Sequence, residues 1–208
     1  MTESIVPQLL DGYKKFKSQY YDNSTTYEEL VSNGQKPRAL LITCCDSRVD
    51  PAILLGAKPG ELFVVRNVAN LVPPFDDDPK HHATSAALEF AVSGLGVNDI
   101  IILGHSHCGG IHALMNRKED EPQRDFITAW MNIAKPAKEK VLAQYPNSDP
   151  LEKNQHCEKE SLLISLANLK TFPWIQERVA KDDLNLHAWY FNMNTGAIEM
   201  CRDKEIGN

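Results

Sequence analysis

Two short stretches of the chain combine thiols, imidazoles and charged groups at spacings suited to metal chemistry. They are Cys44-Cys45-Asp46-Ser47-Arg48 and His105-Ser106-His107-Cys108-Gly109-Gly110. Cysteine thiolates and histidine imidazoles are the ligands that zinc prefers in proteins. A catalytic zinc ion takes three protein ligands and keeps a fourth position open for water or substrate. The two stretches together therefore predict a Cys₂His zinc site with an open position.

Each stretch offers two residues for one ligand position. In the second stretch, His107 is adjacent to Cys108, so the two side chains would tend to point apart. We therefore favour His105 with Cys108 as ligands. In the first stretch, spacing alone leaves the choice between Cys44 and Cys45 open.

Asp46 and Arg48 are two residues apart, directly after the thiols. A guanidinium can hold a carboxylate ionised and oriented through two parallel hydrogen bonds. A carboxylate held in this way beside an open zinc site can accept a hydrogen bond from water. Two other interpretations stay open, namely a purely structural clamp of the turn and a role for Asp46 as the fourth zinc ligand.

The segments before the two stretches are apolar runs, which predict buried parallel strands over residues 38–43 and 100–103. Open α/β sheets usually place their chemistry just beyond the carboxyl ends of such strands. Further strands are predicted over residues 62–66, 186–191 and 197–200. Helical patterns cover residues 5–21, 26–33, 84–95, 111–115, 160–169 and 173–181, and a short helix begins at Asp50-Pro51. Residues 117–160 are polar and helical in pattern, with breaks expected at Pro122, Pro136 and Pro146-Asn147. This alternation predicts an α/β fold, a single domain with a mainly parallel central β-sheet flanked by helices.

Composition excludes several classes of partner. The chain has 208 residues, is 42% hydrophobic and carries a net charge of -6, which argues against nucleic acid or an anionic membrane surface. No apolar run reaches the roughly 18 residues of a membrane span, and no signal peptide is evident. The five cysteines are too few and too scattered for a disulfide framework. We therefore expect reduced thiols and a cytoplasmic protein.

The motif Cys44-x-Asp46-x-Arg48, followed by Gly104-His105-Ser106-x-Cys108-Gly109-Gly110, resembles the β-class carbonic anhydrases. The similarity extends over roughly residues 5–200 and includes the segments 59–74 and 160–196. It implies one domain over residues 1–208, with an N-terminal helical arm over residues 1–34 that packs on a partner subunit. It also implies a homodimer or a dimer of dimers.

The resemblance also implies the roles of the site residues. Zinc would be bound by Cys44, His105 and Cys108, with Cys45 at a position where the family often has Ser. Asp46 and Arg48 would form the dyad beside the zinc. Some members of the family close the site by using this Asp as the fourth ligand. The Trp and Gly that accompany that closed form are replaced here by Leu41 and Thr43, so we expect the open form.

The implied activity is the reversible hydration of carbon dioxide to bicarbonate and a proton by a zinc-bound hydroxide. The residues implied to bind substrate are Gln35, the backbone N–H of Gly109, and the apolar side chains Phe63, Val68 and Phe90. Histidines that titrate in a range suited to a proton shuttle are His81, His82, His107 and His112.

Two alternatives to carbon dioxide hydration stay open. One is a zinc hydrolase of a related small molecule, carbon disulfide or carbonyl sulfide. The other is a non-catalytic zinc or thiol-sensing protein, in which Cys45, Cys157 or Cys201 would be the sensing thiol.

Overall fold

The computed structural model describes residues 4–78, 82–117 and 126–202. The chain divides into two compact units, Met1–Lys36 and Pro37–Asn208. The first unit is a helical pair, α1 (Val6–Lys17) and α2 (Thr26–Asn33), joined through a π-helical turn at Ser18–Asp22. Four aromatic rings hold this pair together with centroid distances of 4.8 to 6.2 Å, and they belong to Phe16, Tyr20, Tyr21 and Tyr27.

The second unit alternates strands with helices, as the sequence predicts. Its strands are β1 (Ala39–Cys44), β2 (Leu62–Asn67), β3 (Asp99–His105), β4 (Asn185–Asn192) and β5 (Ala197–Met200). Its helices are α3 (Pro51–Leu55), α4 (Ala83–Glu89), α5 (Gly109–Asn116), α6 (Ile127–Met131), α7 (Lys135–Gln144), α8 (Pro150–Leu169) and α9 (Pro173–Ala180). Turns of 3₁₀ helix follow β2 and α6, and a π-helical turn follows α4.

The five strands form one sheet in the order β2-β1-β3-β4-β5. The first four are parallel and β5 is antiparallel to β4, which confirms the predicted mainly parallel α/β sheet. β1 lies between β2 and β3, and all six of its residues are buried. Its pairing with β3 runs to Thr43 opposite Leu103, so the carboxyl ends of both strands reach the same edge of the sheet.

The faces of β1 belong to different parts of the core. Leu40 and Ile42 are fully buried in the largest apolar cluster, together with residues of α4, α8 and α9. Leu41 faces a smaller cluster on the opposite side, with Val49 and Leu103. Each buried aliphatic side chain of this size contributes about 1.5–3 kcal/mol relative to an exposed one, so the central strands are firmly fixed.

Two of the helices around the sheet begin at an aspartate that caps their first turn. Asp50 caps α3 by accepting hydrogen bonds from the N–H groups of Ala52 and Ile53, both at 3.1 Å, with Pro51 at the first helical position. Asp149 caps α8 in the same way. The sequence-based prediction of a helix over residues 160–169 was therefore too short, because α8 begins at Pro150. The break predicted at Pro136 coincides with the start of α7, where Pro136 lies in the first turn and its missing N–H costs no hydrogen bond.

Candidate metal centre

Three ligand residues converge where β1 and β3 end. Cys44 is the last residue of β1, His105 is the last residue of β3, and Cys108 immediately precedes α5. Their sulfur and imidazole nitrogen atoms all lie within 4.8 Å of one another. All three residues are at most 5% exposed. Two thiols and an imidazole at this separation form a donor set suited to zinc.

The hydrogen bonding of His105 leaves one ring nitrogen available for a metal. Nδ1 lies 2.8 Å from the backbone carbonyl of Ser106, so Nδ1 carries the proton and donates it. Nε2 is buried and has no hydrogen-bond partner among the described residues. A buried polar atom without a partner is costly, and a metal ion would remove that cost. The second hydrogen bond of a metal-bound histidine usually fixes its tautomer in this manner.

The Cys44 sulfur accepts hydrogen bonds from the backbone N–H groups of Asp46 and Ala69. Ala69 is fully buried and lies in the left-handed region with a φ of 62°, and Asn70 follows with a φ of 50°. Such a conformation is strained for residues other than glycine. The fold around the 3₁₀ turn thus holds the backbone in a strained shape that directs one N–H to the sulfur of Cys44.

Cys108 receives a similar pair of donors from the start of α5. Its sulfur accepts hydrogen bonds from the backbone N–H groups of Gly110 and Ile111, which have no partner within the helix. The Cys108 thiol in turn hydrogen bonds to Cys44, which lowers the pKa of the Cys44 thiol and raises that of Cys108. The Cys44 thiol is therefore the easier of the two to deprotonate, and both thiols must lose their protons to bind a divalent cation.

Asp46 and Arg48 form the predicted ion pair at the mouth of this centre. Nε of Arg48 lies 2.9 Å from Oδ1 of Asp46, and Nη2 lies 2.7 Å from Oδ2. The backbone N–H of Arg48 also donates to Oδ1 at 3.0 Å. These hydrogen bonds from Arg48 hold the pKa of the Asp46 carboxyl well below its usual range. Asp46 therefore stays ionised, and it is not part of the Cys44, His105 and Cys108 group.

Arg66 anchors the turn that carries this pair. From β2 its Nε donates to the carbonyl of Cys44 at 3.0 Å, and its Nη2 donates to the carbonyls of Asp46 at 2.8 Å and Val49 at 2.9 Å. The sequence pattern places Arg66 at the end of the strand over residues 62–66 and does not predict this anchoring role. A lone charged residue at the carboxyl end of an otherwise apolar strand was the available signal.

The loop that carries His105 and Cys108 is supported by β4 and the turn after it. The N–H of Ser106 donates to the carbonyl of Phe191 at 2.9 Å, and the Ser106 hydroxyl accepts from the N–H of Met193 at 2.8 Å. His107 has a φ of 58° and is exposed, and its Nε2 lies 3.1 Å from Oδ1 of Asn194. The structure thus directs His107 away from the ligand group, as the adjacency argument predicts.

The comparisons with known proteins agree with this geometry. A chloroplastic β-carbonic anhydrase of Arabidopsis thaliana is 45% identical over 181 residues, which is 87% of this chain and 58% of that relative. The family model described as carbonic anhydrase matches residues 39–198. The chain belongs to the β-carbonic anhydrase family. It spans less than two thirds of the length of that Arabidopsis relative, 58%.

Solved β-carbonic anhydrases have the same fold. The structure of CcaA superposes with a TM-score of 0.87 at 32% identity, covering 95% of this chain and 88% of that one. A tetrameric enzyme from Sordaria macrospora superposes with a TM-score of 0.79 at 28% identity, covering 94% of each chain. No helix in the described ranges has the length and apolar character needed to cross a membrane.

Two of the substrate residues expected for a β-carbonic anhydrase lie next to the ligand group. Val68 packs against the apolar cluster that contains Cys44 and Cys108. Gly109 is exposed and opens α5, so its N–H is among those that lack a partner within the helix. Gly109 thus directly follows Cys108, and Val68 packs on the cluster to which Cys44 and Cys108 belong.

Phe63 and Phe90 lie elsewhere on the second unit. Their rings contact each other at a centroid distance of 5.9 Å, and Phe90 is 50% exposed. In the sheet register Phe63 lies opposite Leu40, whereas Cys44 lies opposite Asn67. Four residues along a strand correspond to about 13 Å, so this aromatic pair lies well back from the ligands of its own chain.

The remaining site residues are placed only in part. Gln35 is exposed and belongs to the unit Met1–Lys36, described above by itself. Among the proton-shuttle candidates, His112 is exposed on α5. Its Nδ1 lies 3.2 Å from the Nδ2 atoms of both Asn116 and Asn154. His81 lies outside the described residues.

Proposed function

We propose that this protein is a zinc lyase that catalyses the reversible hydration of carbon dioxide to bicarbonate and a proton. The observation that carries the proposal is the buried group of Cys44, His105 and Cys108, with an ionised Asp46 held beside it. Three protein ligands leave one position free for substrate or water. Zinc in such a site acts as a Lewis acid that makes water a nucleophile near neutral pH.

The chain's own residues would orient the reactants. Asp46 is an acceptor at neutral pH, so it would accept a hydrogen bond from the attacking water and direct a lone pair toward the carbon. Arg48 would keep that carboxylate from rotating, because it holds both oxygens. The N–H of Gly109 and the amide of Gln35 would donate to substrate oxygen as negative charge develops there.

A neutral linear gas needs an apolar wall, and we propose that Val68, Phe63 and Phe90 supply it. Val68 lies beside the ligand cluster. Phe63 lies back along β2 and Phe90 packs against it, so we propose that the two rings reach a metal centre only in an assembled oligomer.

We propose a homodimer or a dimer of dimers, with residues 1–34 as an arm on a partner subunit. The support is the apolar surface of α1, where each of four residues is more than half exposed, namely Val6, Leu9, Leu10 and Tyr13. The relative from Sordaria macrospora is tetrameric. Light scattering on the double variant Leu9→Lys and Leu10→Lys tests the arm, with Lys15→Glu on the same helix as control. Dissociation is expected only in the double variant, and an unchanged mass would contradict the proposed arm.

A cytoplasmic location stays part of the proposal. Cys44, Cys45, Cys108 and Cys157 are free thiols, which suits a reducing compartment. The Arabidopsis relative carries the word chloroplastic in its name. Fluorescence microscopy of the tagged full-length protein in its own cells decides the compartment.

The decisive experiment is a stopped-flow assay of carbon dioxide hydration with a pH indicator, using protein loaded with one zinc per chain. Rapid hydration that is lost on chelation and restored by zinc would support the proposal. Carbon disulfide and carbonyl sulfide serve as competing substrates in the same preparation. Zinc-loaded protein without hydration activity would overturn the proposal and favour hydrolysis of a related substrate, or a thiol sensor.

A further inference from the structure

A buried carboxylate behind the metal loop is not used by the proposed reaction. Glu158 lies on α8 and is 5% exposed. Its Oε1 accepts a hydrogen bond from the backbone N–H of Cys108 at 2.9 Å, and its Oε2 accepts one from the hydroxyl of Tyr190 at 2.8 Å. A buried carboxylate is expensive unless it is hydrogen bonded, so both contacts matter.

Cys108 is held at both of the peptide groups that flank its Cα. The N–H of Cys108 is held by Glu158, and its carbonyl accepts the N–H of His112 at 2.9 Å in the first turn of α5. With both ends of the residue fixed, the Cα–Cβ bond has one direction. The two helix N–H groups that meet the sulfur then set the rotation about this bond, and the sulfur lies within 4.8 Å of the ligand atoms of His105 and Cys44.

Tyr190 keeps Glu158 in place from the sheet. It lies on β4, is fully buried and donates its hydroxyl proton to the carboxylate. A helix, a central strand and the metal loop therefore meet at one side chain. Groups that orient metal ligands in this way typically change metal affinity or activity by about 10–100-fold when they are removed.

We propose that Glu158 is a positioning residue for Cys108, which sets the geometry and lifetime of the metal complex without touching metal or substrate. The inference rests on the proposed zinc site. It also makes a separate prediction. The side chain at position 158 must be long enough to accept the hydrogen bond from the Cys108 N–H, whereas its negative charge is not required. Glu160 supplies a matched control, because it lies on the same helix, is also 5% exposed, and pairs with Lys140 on α7 at 2.6 Å.

Two substitutions separate the effect of side-chain length at position 158 from the effect of its negative charge. Glu158→Gln keeps an acceptor at the same distance and removes the charge. Glu158→Asp keeps the charge but withdraws the carboxylate by one C–C bond, about 1.5 Å. Zinc release from the full-length, zinc-loaded protein is followed with a chromophoric chelator, and thermal unfolding of the metal-free forms reports folding. The Co²⁺-substituted proteins add the thiolate-to-cobalt charge-transfer band.

Positioning predicts that Glu158→Asp releases zinc about 10–100-fold faster and alters the cobalt band, while Glu158→Gln and Glu160→Gln behave like the wild type. If Glu158→Asp does not fold, Tyr190→Phe takes its place, with faster release expected because one carboxylate oxygen loses its donor. The inference is overturned if Glu158→Asp, or Tyr190→Phe in its place, releases zinc at the wild-type rate. It is also overturned if Glu158→Gln is the variant that releases zinc faster, or if Glu160→Gln releases zinc as fast as Glu158→Asp. A wild-type protein that takes up no zinc would overturn the proposed function together with this inference.

Discussion

Arg48 holds Asp46 by both carboxylate oxygens, through Nε at 2.9 Å and Nη2 at 2.7 Å. Its Nη2 also donates to the carbonyl of His107 at 3.1 Å, so the Arg48 guanidinium is also bonded to the loop that carries His105 and Cys108. The Asp46 side chain is 14% exposed and the Arg48 side chain 56%. The pair therefore joins the two ligand-bearing loops, with Arg48 on the solvent side and Asp46 largely covered.

This pairing predicts the behaviour of Asp46→Asn. The amide keeps the shape of the side chain but loses the charge and one acceptor, so zinc should be retained while turnover falls by about 100-fold or more. Stopped-flow hydration and metal analysis on the same sample measure both quantities. Full activity would remove Asp46 from the mechanism, and loss of zinc would make it a ligand.

The two adjacent cysteines should respond differently to serine. Cys44 is buried within the ligand group, whereas Cys45 is exposed. Cys44→Ser should lose stoichiometric zinc, because a neutral hydroxyl is a poor replacement for a thiolate. Cys45→Ser should keep both zinc and activity, and it is the matched control. Metal analysis after dialysis would contradict this assignment if the two results were exchanged.

Much of the architecture follows from local patterns in the sequence. The apolar runs of β1 and β3 define buried parallel strands, and parallel strands bring Cys44 and His105 to one edge. The choice of Cys44 over Cys45 does not follow from spacing, because the two thiols are adjacent at the end of the same apolar run. It depends on the N–H groups of Asp46 and Ala69, and the position of Ala69 is set by tertiary packing.

Glu158 shows why part of the site is not accessible to sequence reasoning. It lies within a charged run, Cys157-Glu158-Lys159-Glu160, which resembles the solvent face of a helix. In the fold Glu158 and Glu160 are both buried, and their partners come from β4, the metal loop and α7. Such pairings depend on how elements pack and not on local periodicity.

The two adjacent glycines of the metal loop should differ sharply in tolerance to alanine. A Cβ at Gly110 would lie 2.9 Å from Cγ1 of Val68 and 3.1 Å from Cβ of Ala69, whereas a Cβ at Gly109 would meet nothing within 4 Å. Gly110→Ala should therefore cost about 1–3 kcal/mol of unfolding free energy and disturb the turn that supplies the Cys44 donor. Gly109→Ala keeps its N–H and should be nearly neutral. Denaturant unfolding tests the difference, and equal stabilities would contradict the close packing of Gly110 on the 3₁₀ turn.

Cys157 should make the stability of the protein depend on alkaline pH. It is fully buried on α8, and burial raises the pKa of its thiol to about 12. The unfolded chain releases that proton near a pKa of about 8.5. The folded pKa is raised, so the contribution to stability is fully present below about pH 8.5 and is lost as pH rises toward the folded value. By pH 10 the loss reaches about 2 kcal/mol.

The variant Cys157→Ala isolates this effect, because its cavity cost does not vary with pH. Between pH 8 and pH 10 the wild-type protein should lose about 2 kcal/mol of unfolding free energy relative to the variant. In Cys157→Ser the unfolding free energy should likewise lack this decrease with pH. That result would assign the decrease to the thiol and not to the volume of the side chain. Urea unfolding at matched pH values gives the comparison. If unfolding free energy varies with pH in the same way for the wild type and both variants, the Cys157 thiol ionises as readily in the folded protein as in the unfolded chain. That result would mean that water reaches Cys157 in the folded protein.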